Sequence, residues 1–131
     1  EEWYAQEFER ILKIPLIRAL EIRGSQLVIH TDTIVILFRG FRYDIGRFLI
    51  TIEMGSGAVY LENLTSTHPQ RRCHPYAYTN DRFCWGALSD SIHEALKKRE
   101  YAVAIVYILQ AMQTAEGDAV HRVKEWKEVE A

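Results

Sequence analysis

Cys84 is the side chain in this sequence that is best placed to act as a nucleophile. It lies two positions after Arg82 and shortly before a predicted helix start near Ser89. A neighbouring cation and a helix N-terminus both favour the thiolate over the thiol. A thiolate can accept an acyl group as a thioester and then release it to an amine or a second thiol. These neighbours therefore suit Cys84 to thioester exchange.

Two other interpretations of the cysteines stay open. A cysteine outside a disulfide is often buried and packs as a small hydrophobe, which is how we interpret Cys73. Zinc is the other alternative, because one loop holds four side chains of the types that zinc prefers: His68, Cys73, His74 and Cys84. Their spacing matches no common zinc pattern, and two adjacent residues cannot easily bind one ion. We therefore expect no metal and no cofactor.

Both cysteines belong to a long stretch without helical or strand periodicity, residues 65–87. Loops of this length inside a compact domain are usually functional or disordered. Disordered segments contain few aromatic residues, whereas this one contains four: Tyr76, Tyr78, Phe83 and Trp85. We expect an ordered loop whose aromatic side chains hold it to the rest of the domain.

Before the loop, the pattern predicts one helix followed by strands. Four apolar residues at helical spacing indicate an amphipathic helix: Tyr4, Phe8, Ile11 and Leu12. Its acidic residues lie near the start and on the outer face, and Pro15 ends it. β-branched stretches broken at Gly24 and Asp32 then predict short strands of a meander: residues 17–23, 27–31, 33–38, 47–53 and 58–64. Alternation in 47–53 indicates that one face of the sheet is buried.

After the loop, the pattern predicts helices. One begins at Ser89 or Asp90, with Ser91 and Glu94 spaced as a capping box. Residues 101–112 are apolar almost all round, which is typical of a helix packed on two sides. A last amphipathic helix is expected from Asp118, with Val123 and Trp126 on its apolar face. Strands followed by helices favour an α+β domain.

Composition and charge limit the classes of protein. The 131 residues fit a single domain, 1–131, and a content of 48% hydrophobic and 26% charged residues is that of a globular protein. A net charge of −2 gives no general attraction to nucleic acid or to an anionic membrane, so we expect neither as a partner. Two cysteines and no recognisable signal peptide indicate a reducing, cytoplasmic setting.

The order of elements resembles that of the ubiquitin-conjugating enzymes and their relatives in the RWD group. These proteins have a helix, a four-stranded antiparallel meander, an active-site loop and later helices. Their loop carries a His-Pro-Asn tripeptide, with the catalytic cysteine ten residues after the histidine. Here His74-Pro75-Tyr76 is followed by Cys84 at the same spacing. Two further runs are similar to divergent prokaryotic-type members: Cys84-Trp85-Gly86, and Gly117-Asp118-Ala119 leading toward Trp126.

The resemblance implies a role for each residue of the loop. Cys84 would form the thioester, and His74 would fix the loop by hydrogen bonding. The family asparagine, which supports the loop or the developing oxyanion, is replaced by Tyr76. Asn80 lies in the same loop and is our candidate for the amide role. With Tyr76 in that position, the resemblance implies thioester formation more strongly than transfer to lysine.

The resemblance also implies protein partners. These are a ubiquitin-like protein, an activating enzyme and, in some prokaryotic relatives, a deconjugating protease. The activating enzyme is expected on the first helix, at the face bearing Glu2, Glu7, Glu9 and Arg10. The alternative is a relative that keeps the fold, has lost the chemistry and serves as an interaction module, as RWD domains do.

Overall fold

The computed structural model describes residues 2–75, 85–114 and 120–129. Within them the chain is α+β, with three α-helices and one antiparallel sheet of five strands. The first half contains α1 (Glu2–Leu12), β1 (Ile17–Arg23), β2 (Gln26–Phe38), β3 (Phe41–Glu53) and β4 (Val59–Asn63). The second half contains α2 (Ser89–Lys97), α3 (Tyr101–Gln113), β5 (Lys127–Val129) and two short 3₁₀ helices, Gly86–Leu88 and Val120–Glu125.

The first four strands form the predicted meander, in the order β1-β2-β3-β4. The predicted break at Asp32 is wrong, because β2 continues through it as a single strand. The register with β3 shifts between His30 and Thr33 instead. There the Thr31 hydroxyl donates to the Asp32 carbonyl at 2.7 Å and accepts from the Phe48 amide at 2.9 Å. This side chain bridges the irregular pairing, which explains how the strand remains continuous.

One face of the sheet packs against the helices, as the alternation in β3 predicts. Phe48, Ile50 and Ile52 are each 0% exposed. The core that they share with α1 and α3 includes Ile11, Ile105, Ile108 and Met112. α3 packs on two sides, as expected, against α1 and α2 and against β2 of the sheet, while Val103 and Val106 on its remaining face are 41% and 46% exposed. No helix within the described residues is long and apolar enough to span a membrane.

The C-terminal segment differs from the predicted last helix. Val120–Glu125 is a 3₁₀ helix, and Lys127–Val129 is a strand that pairs with Arg42–Asp44 of β3. Val123 and Trp126 are buried as expected, because residues three apart also share a face in a 3₁₀ helix. The same edge of β3 pairs with β4 only over Phe48–Ile52, which leaves 42–44 available to β5. The sheet consequently has a fifth strand that the sequence pattern does not predict.

The start of α2 is close to the prediction, but its cap is not. The helix begins at Ser89, directly after the 3₁₀ turn, and its N-cap is Leu88, which makes no side-chain cap hydrogen bond. Ser91 and Glu94 therefore lie inside the helix and do not form the capping box. The expected start of the last helix at Asp118 lies outside the described residues.

Candidate functional site

The first part of the long loop is fixed to β3 by threonine side chains. The Thr65 hydroxyl accepts the Arg47 amide at 2.8 Å, and the Thr67 hydroxyl donates to the Asp44 carbonyl at 2.5 Å. Thr67 also accepts the Lys127 amide of β5 at 3.1 Å. Hydrogen bonds to the backbone of two strands therefore order a segment that has no regular structure of its own.

Asn63, the last residue of β4, joins this loop to the sheet. Its amide nitrogen donates to the carbonyls of Ile45 and Cys73 at 2.7 and 2.8 Å, and its oxygen accepts the Thr65 amide at 3.0 Å. Gly46 makes this approach possible: a Cβ added there would collide with the Asn63 oxygen, and its φ of +119° favours glycine. The position just before His74 is thereby tied to β3.

His74 lies in the interior and is 1% exposed. Its Nε2–H donates to the Met112 carbonyl at 2.7 Å, in the last turn of α3, where helix carbonyls lack partners within the helix. Burial lowers the pKa of His74 to about 3, so the imidazole is neutral at physiological pH. Pro75 is buried beside it. The beginning of the segment that leads to Cys84 is thus held against α3.

Cys73 is a poor nucleophile in this structure. Its sulfur lies 3.8 Å from the Leu61 carbonyl, and the side chain packs against the core. Burial, with a smaller contribution from Glu62, raises the pKa of the Cys73 thiol to about 11. The thiolate fraction at neutral pH is therefore very small. This agrees with a structural role for Cys73.

Three predicted site residues, Tyr76, Asn80 and Cys84, lie outside the described residues. The structure describes both flanks of the segment that contains them. On one side are His74 and Pro75; on the other, Trp85 packs against the core and the chain enters Gly86–Leu88 and then α2. The predicted helix start five residues after Cys84 is confirmed.

The residues assigned to a partner surface on α1 do not all lie on the surface. Glu9 and Arg10 are exposed, whereas Glu7 is 3% exposed, so its predicted place on the outer face is wrong. Its Oε1 accepts the Ala102 amide of α3 at 2.7 Å, and its Oε2 accepts from Arg10 Nη1 at 3.2 Å. Glu7 therefore caps α3. Glu2 is in the helix, and its side chain is not among those described.

His68 joins the loop to the C-terminal segment. Its Nδ1 accepts the Gln70 amide at 3.0 Å, so Nε2 carries the proton that is donated to Glu125 at 2.9 Å. This hydrogen bond lowers the pKa of the Glu125 carboxyl. The His68 ring also lies 5.3 Å from that of Trp126. Both ring nitrogens have protein partners, so zinc binding by His68 would require these bonds to break.

The described part of the chain contains no group of three histidine, cysteine or acidic side chains placed to hold a metal ion. His68 is hydrogen-bonded to Glu125, and His74 is hydrogen-bonded to Met112 of α3. The two imidazoles therefore bind different protein groups. A set that includes Cys84 falls outside the described residues.

Comparison with known proteins gives no relative from which a role could be transferred. No family model, no curated protein and no solved structure matches the chain. The geometry of the chain itself is what supports a function.

The sequence analysis does not identify the side chains that join the loop and α3 to other elements. Glu7 could have been recognised, since it falls between Tyr4, Phe8 and Ile11 on the apolar stripe of α1. An acidic residue on such a stripe must find buried donors. Asn63 and His68 carry no comparable signal, because the partners that join them to other segments, Cys73 and Glu125, lie 10 and 57 residues away.

Proposed function

We propose that the chain is a ubiquitin-conjugating-type carrier that accepts a ubiquitin-like protein on Cys84 from an activating enzyme. The observation that supports it most is His74, which is buried and bonded to the last turn of α3. This gives the residue the architectural part that the resemblance implies for the histidine of the loop. The succession of helix, four-strand meander, loop and helices is in line with the same family.

The proposed reaction consists of two acyl transfers. The Cys84 thiolate attacks the thioester carbonyl on the activating enzyme, a new thioester forms on Cys84, and the thiolate of that enzyme leaves. An acceptor amine or thiol then attacks the new thioester, an amide or thioester forms, and the Cys84 thiolate is released. Cys73 is unsuited to this role because its pKa is about 11. Tyr76 and Asn80 are the proposed donors to the developing oxyanion.

His74 is not the base in this mechanism. A buried imidazole with a pKa of about 3 takes up no proton near neutral pH, and its Nε2–H is donated to Met112. The Cys84 thiolate must therefore be stabilised by its surroundings, for which Arg82 and the helical turns after Trp85 are the candidates.

The activating enzyme is proposed to bind α1 through Glu9 and Arg10, which are exposed. Glu2 belongs to the same proposal, whereas Glu7 does not, because it is buried against α3. If Glu9→Ala and Arg10→Ala are charged as wild type is, this surface does not bind the activating enzyme. The proposed carrier role would not be affected by that result. A deconjugating protease and a cytoplasmic location are further parts of the proposal.

A charging assay tests the carrier role. Wild type, Cys73→Ser and Cys84→Ser are incubated with ATP, the cognate activating enzyme and ubiquitin-like protein, and run on non-reducing gels. We expect an adduct that dithiothreitol removes, present in wild type and Cys73→Ser and absent in Cys84→Ser. An adduct that depends on Cys73 would contradict the proposal.

A thiol reagent tests the same assignment without partners. With Ellman's reagent at neutral pH, we expect Cys73→Ser to keep a fast-reacting thiol and Cys84→Ser to lose it. If the folded protein binds its partners but never charges, and neither thiol reacts quickly, the alternative interaction module becomes the better description. The replacement of the family asparagine by Tyr76 is the feature that favours that alternative.

A further inference from the structure

The β2–β3 hairpin extends past its neighbours. β1 pairs with β2 only as far as Thr31, and β4 pairs with β3 only from Phe48. The outer half of the hairpin has no strand of the meander beside it, and β5 covers only 42–44. A two-residue turn closes the hairpin, with φ of +52° at Arg39 and +81° at Gly40. Positive φ at both positions is typical of a tight type I′ turn. The tip therefore extends beyond the paired strands of the meander, although Phe38 on its inner face is buried in the core.

The tip exposes apolar side chains on both of its faces. Leu37 is 62% exposed and Phe41 is 55% exposed. Phe41 is paired with Phe38 and shares its face, whereas Leu37 neighbours Phe38 along the strand and points to the other face. A rigid, flat protein surface could cover only one of these faces. A soft interface that surrounds the tip could cover both.

Cationic side chains surround the same tip. The Arg39 guanidinium lies 5.0 Å from the centre of the Phe38 ring, and the Lys124 ammonium lies 5.8 Å from it. Arg42 is exposed and paired with Leu37. The acidic residues described nearest in the register are further from the turn: Asp44, which is half-buried, and Glu128, opposite Tyr43. Among the described side chains the charge at the tip is therefore positive, although the whole chain has a net charge of −2.

We propose that the hairpin tip binds an anionic lipid surface. Leu37 and Phe41 enter the interface between headgroups and acyl chains, while Arg39, Arg42 and Lys124 lie among the anionic headgroups. Apolar insertion and electrostatic attraction are the two contributions that hold peripheral proteins on membranes. This binding is independent of the acyl-carrier role, and it differs from the expectation drawn from net charge alone.

Vesicle binding tests the proposal. The protein is mixed with vesicles of phosphatidylserine and phosphatidylcholine, or of phosphatidylcholine alone, and the bound fraction is measured by sedimentation. We expect binding that requires phosphatidylserine and weakens as salt is raised. The double variant Leu37→Ser/Phe41→Ser should lower the partition coefficient by at least about tenfold, because two apolar side chains no longer leave water. Arg42→Glu should lower it as well.

Ile22→Ser is the matched control. Ile22 is 52% exposed and lies near the β1–β2 turn, at the opposite end of β2 from the tip. We expect this variant to bind vesicles as wild type does. Thermal unfolding of each variant verifies that the fold is retained. The proposal is overturned if wild type does not bind anionic vesicles, which would leave the tip to a protein partner. It is also overturned if the double variant binds like wild type or if Ile22→Ser loses as much binding.

Discussion

His74 makes the stability of the protein depend on pH. Its pKa is about 3 in the folded chain, compared with an ordinary value of 6.5. Between these values the unfolded chain binds a proton that the folded chain excludes. The free energy of unfolding should therefore be highest above pH 6.5 and fall as the pH decreases toward 3. The largest slope from this one group is about 1.4 kcal/mol per pH unit.

Denaturant unfolding of His74→Gln at pH 7.5 and pH 5 checks this contribution. The variant should be less stable than wild type at pH 7.5 and should lose less stability on acidification. His93→Gln is the matched control for the loss of an imidazole, since His93 is exposed. Equal losses in wild type and His74→Gln would contradict the assignment.

At the scale of single residues, the sequence identifies chemical types better than partners. The His-Pro pair and its spacing to Cys84 are visible in the sequence, but the bond from His74 to Met112 joins residues 38 positions apart. No local pattern encodes that distance. For Glu7 the local pattern does indicate burial, but its partner, the Ala102 amide 95 positions away, could not be predicted.

Among the elements, α3 depends on a side chain that α1 supplies. Glu7 accepts the Ala102 amide in the first turn of α3, where helix amides lack partners within the helix. We expect Glu7→Ala to lower the free energy of unfolding by about 1–3 kcal/mol, because a buried donor loses its acceptor. Glu9→Ala, two positions along and exposed, should change it by less than about 0.5 kcal/mol. Urea denaturation measures both, and equal effects would contradict the capping role.

Gly46 is needed for the contact between β3 and Asn63, which holds the loop to the sheet. We expect Gly46→Ala to destabilise the protein by about 2 kcal/mol or more, because a positive φ and a collision with Asn63 act together. Gly24→Ala separates the two causes, since Gly24 also has a positive φ, +60°, but no atom within 4 Å of an added Cβ. The control should cost about 1 kcal/mol. If thermal denaturation shows that Gly24→Ala destabilises the protein as much as Gly46→Ala or more, the proposed collision with Asn63 is contradicted.

The elements themselves could be predicted to different degrees. β1 and β4 follow local β-branched patterns between turn residues, and α3 follows an apolar run, so their positions are close to the prediction. β5 could not be predicted: three residues, Lys127–Val129, carry no alternation, and their pairing depends on a free edge of β3. The continuity of β2 through Asp32 likewise depends on the Thr31 hydroxyl meeting Phe48 across the sheet.

The segment 120–129 packs against the long loop and adds a strand to the sheet. Trp126 is 4% exposed, packs on His68 and leads into β5. We expect Trp126→Ala to cost about 3–5 kcal/mol of stability. Hydrogen exchange should also show lost protection at Arg42–Asp44, where β5 pairs with β3. Glu128→Ala, which is exposed, should retain both stability and protection. Faster exchange confined to residues 127–129 would indicate that β5 opens without consequences for β3.

The pairing of β5 with β3 also has a consequence for synthesis. α1 and the first four strands are made of contacts close in sequence and can form while translation continues. The contacts of His68 with Glu125 and of Thr67 with Lys127 can form only after residue 127 has left the ribosome. A nascent chain stalled earlier would carry the meander without these two anchors for the loop before His74. The loop that leads to the proposed acyl-carrier site would thus gain these anchors only after residue 127 has been made.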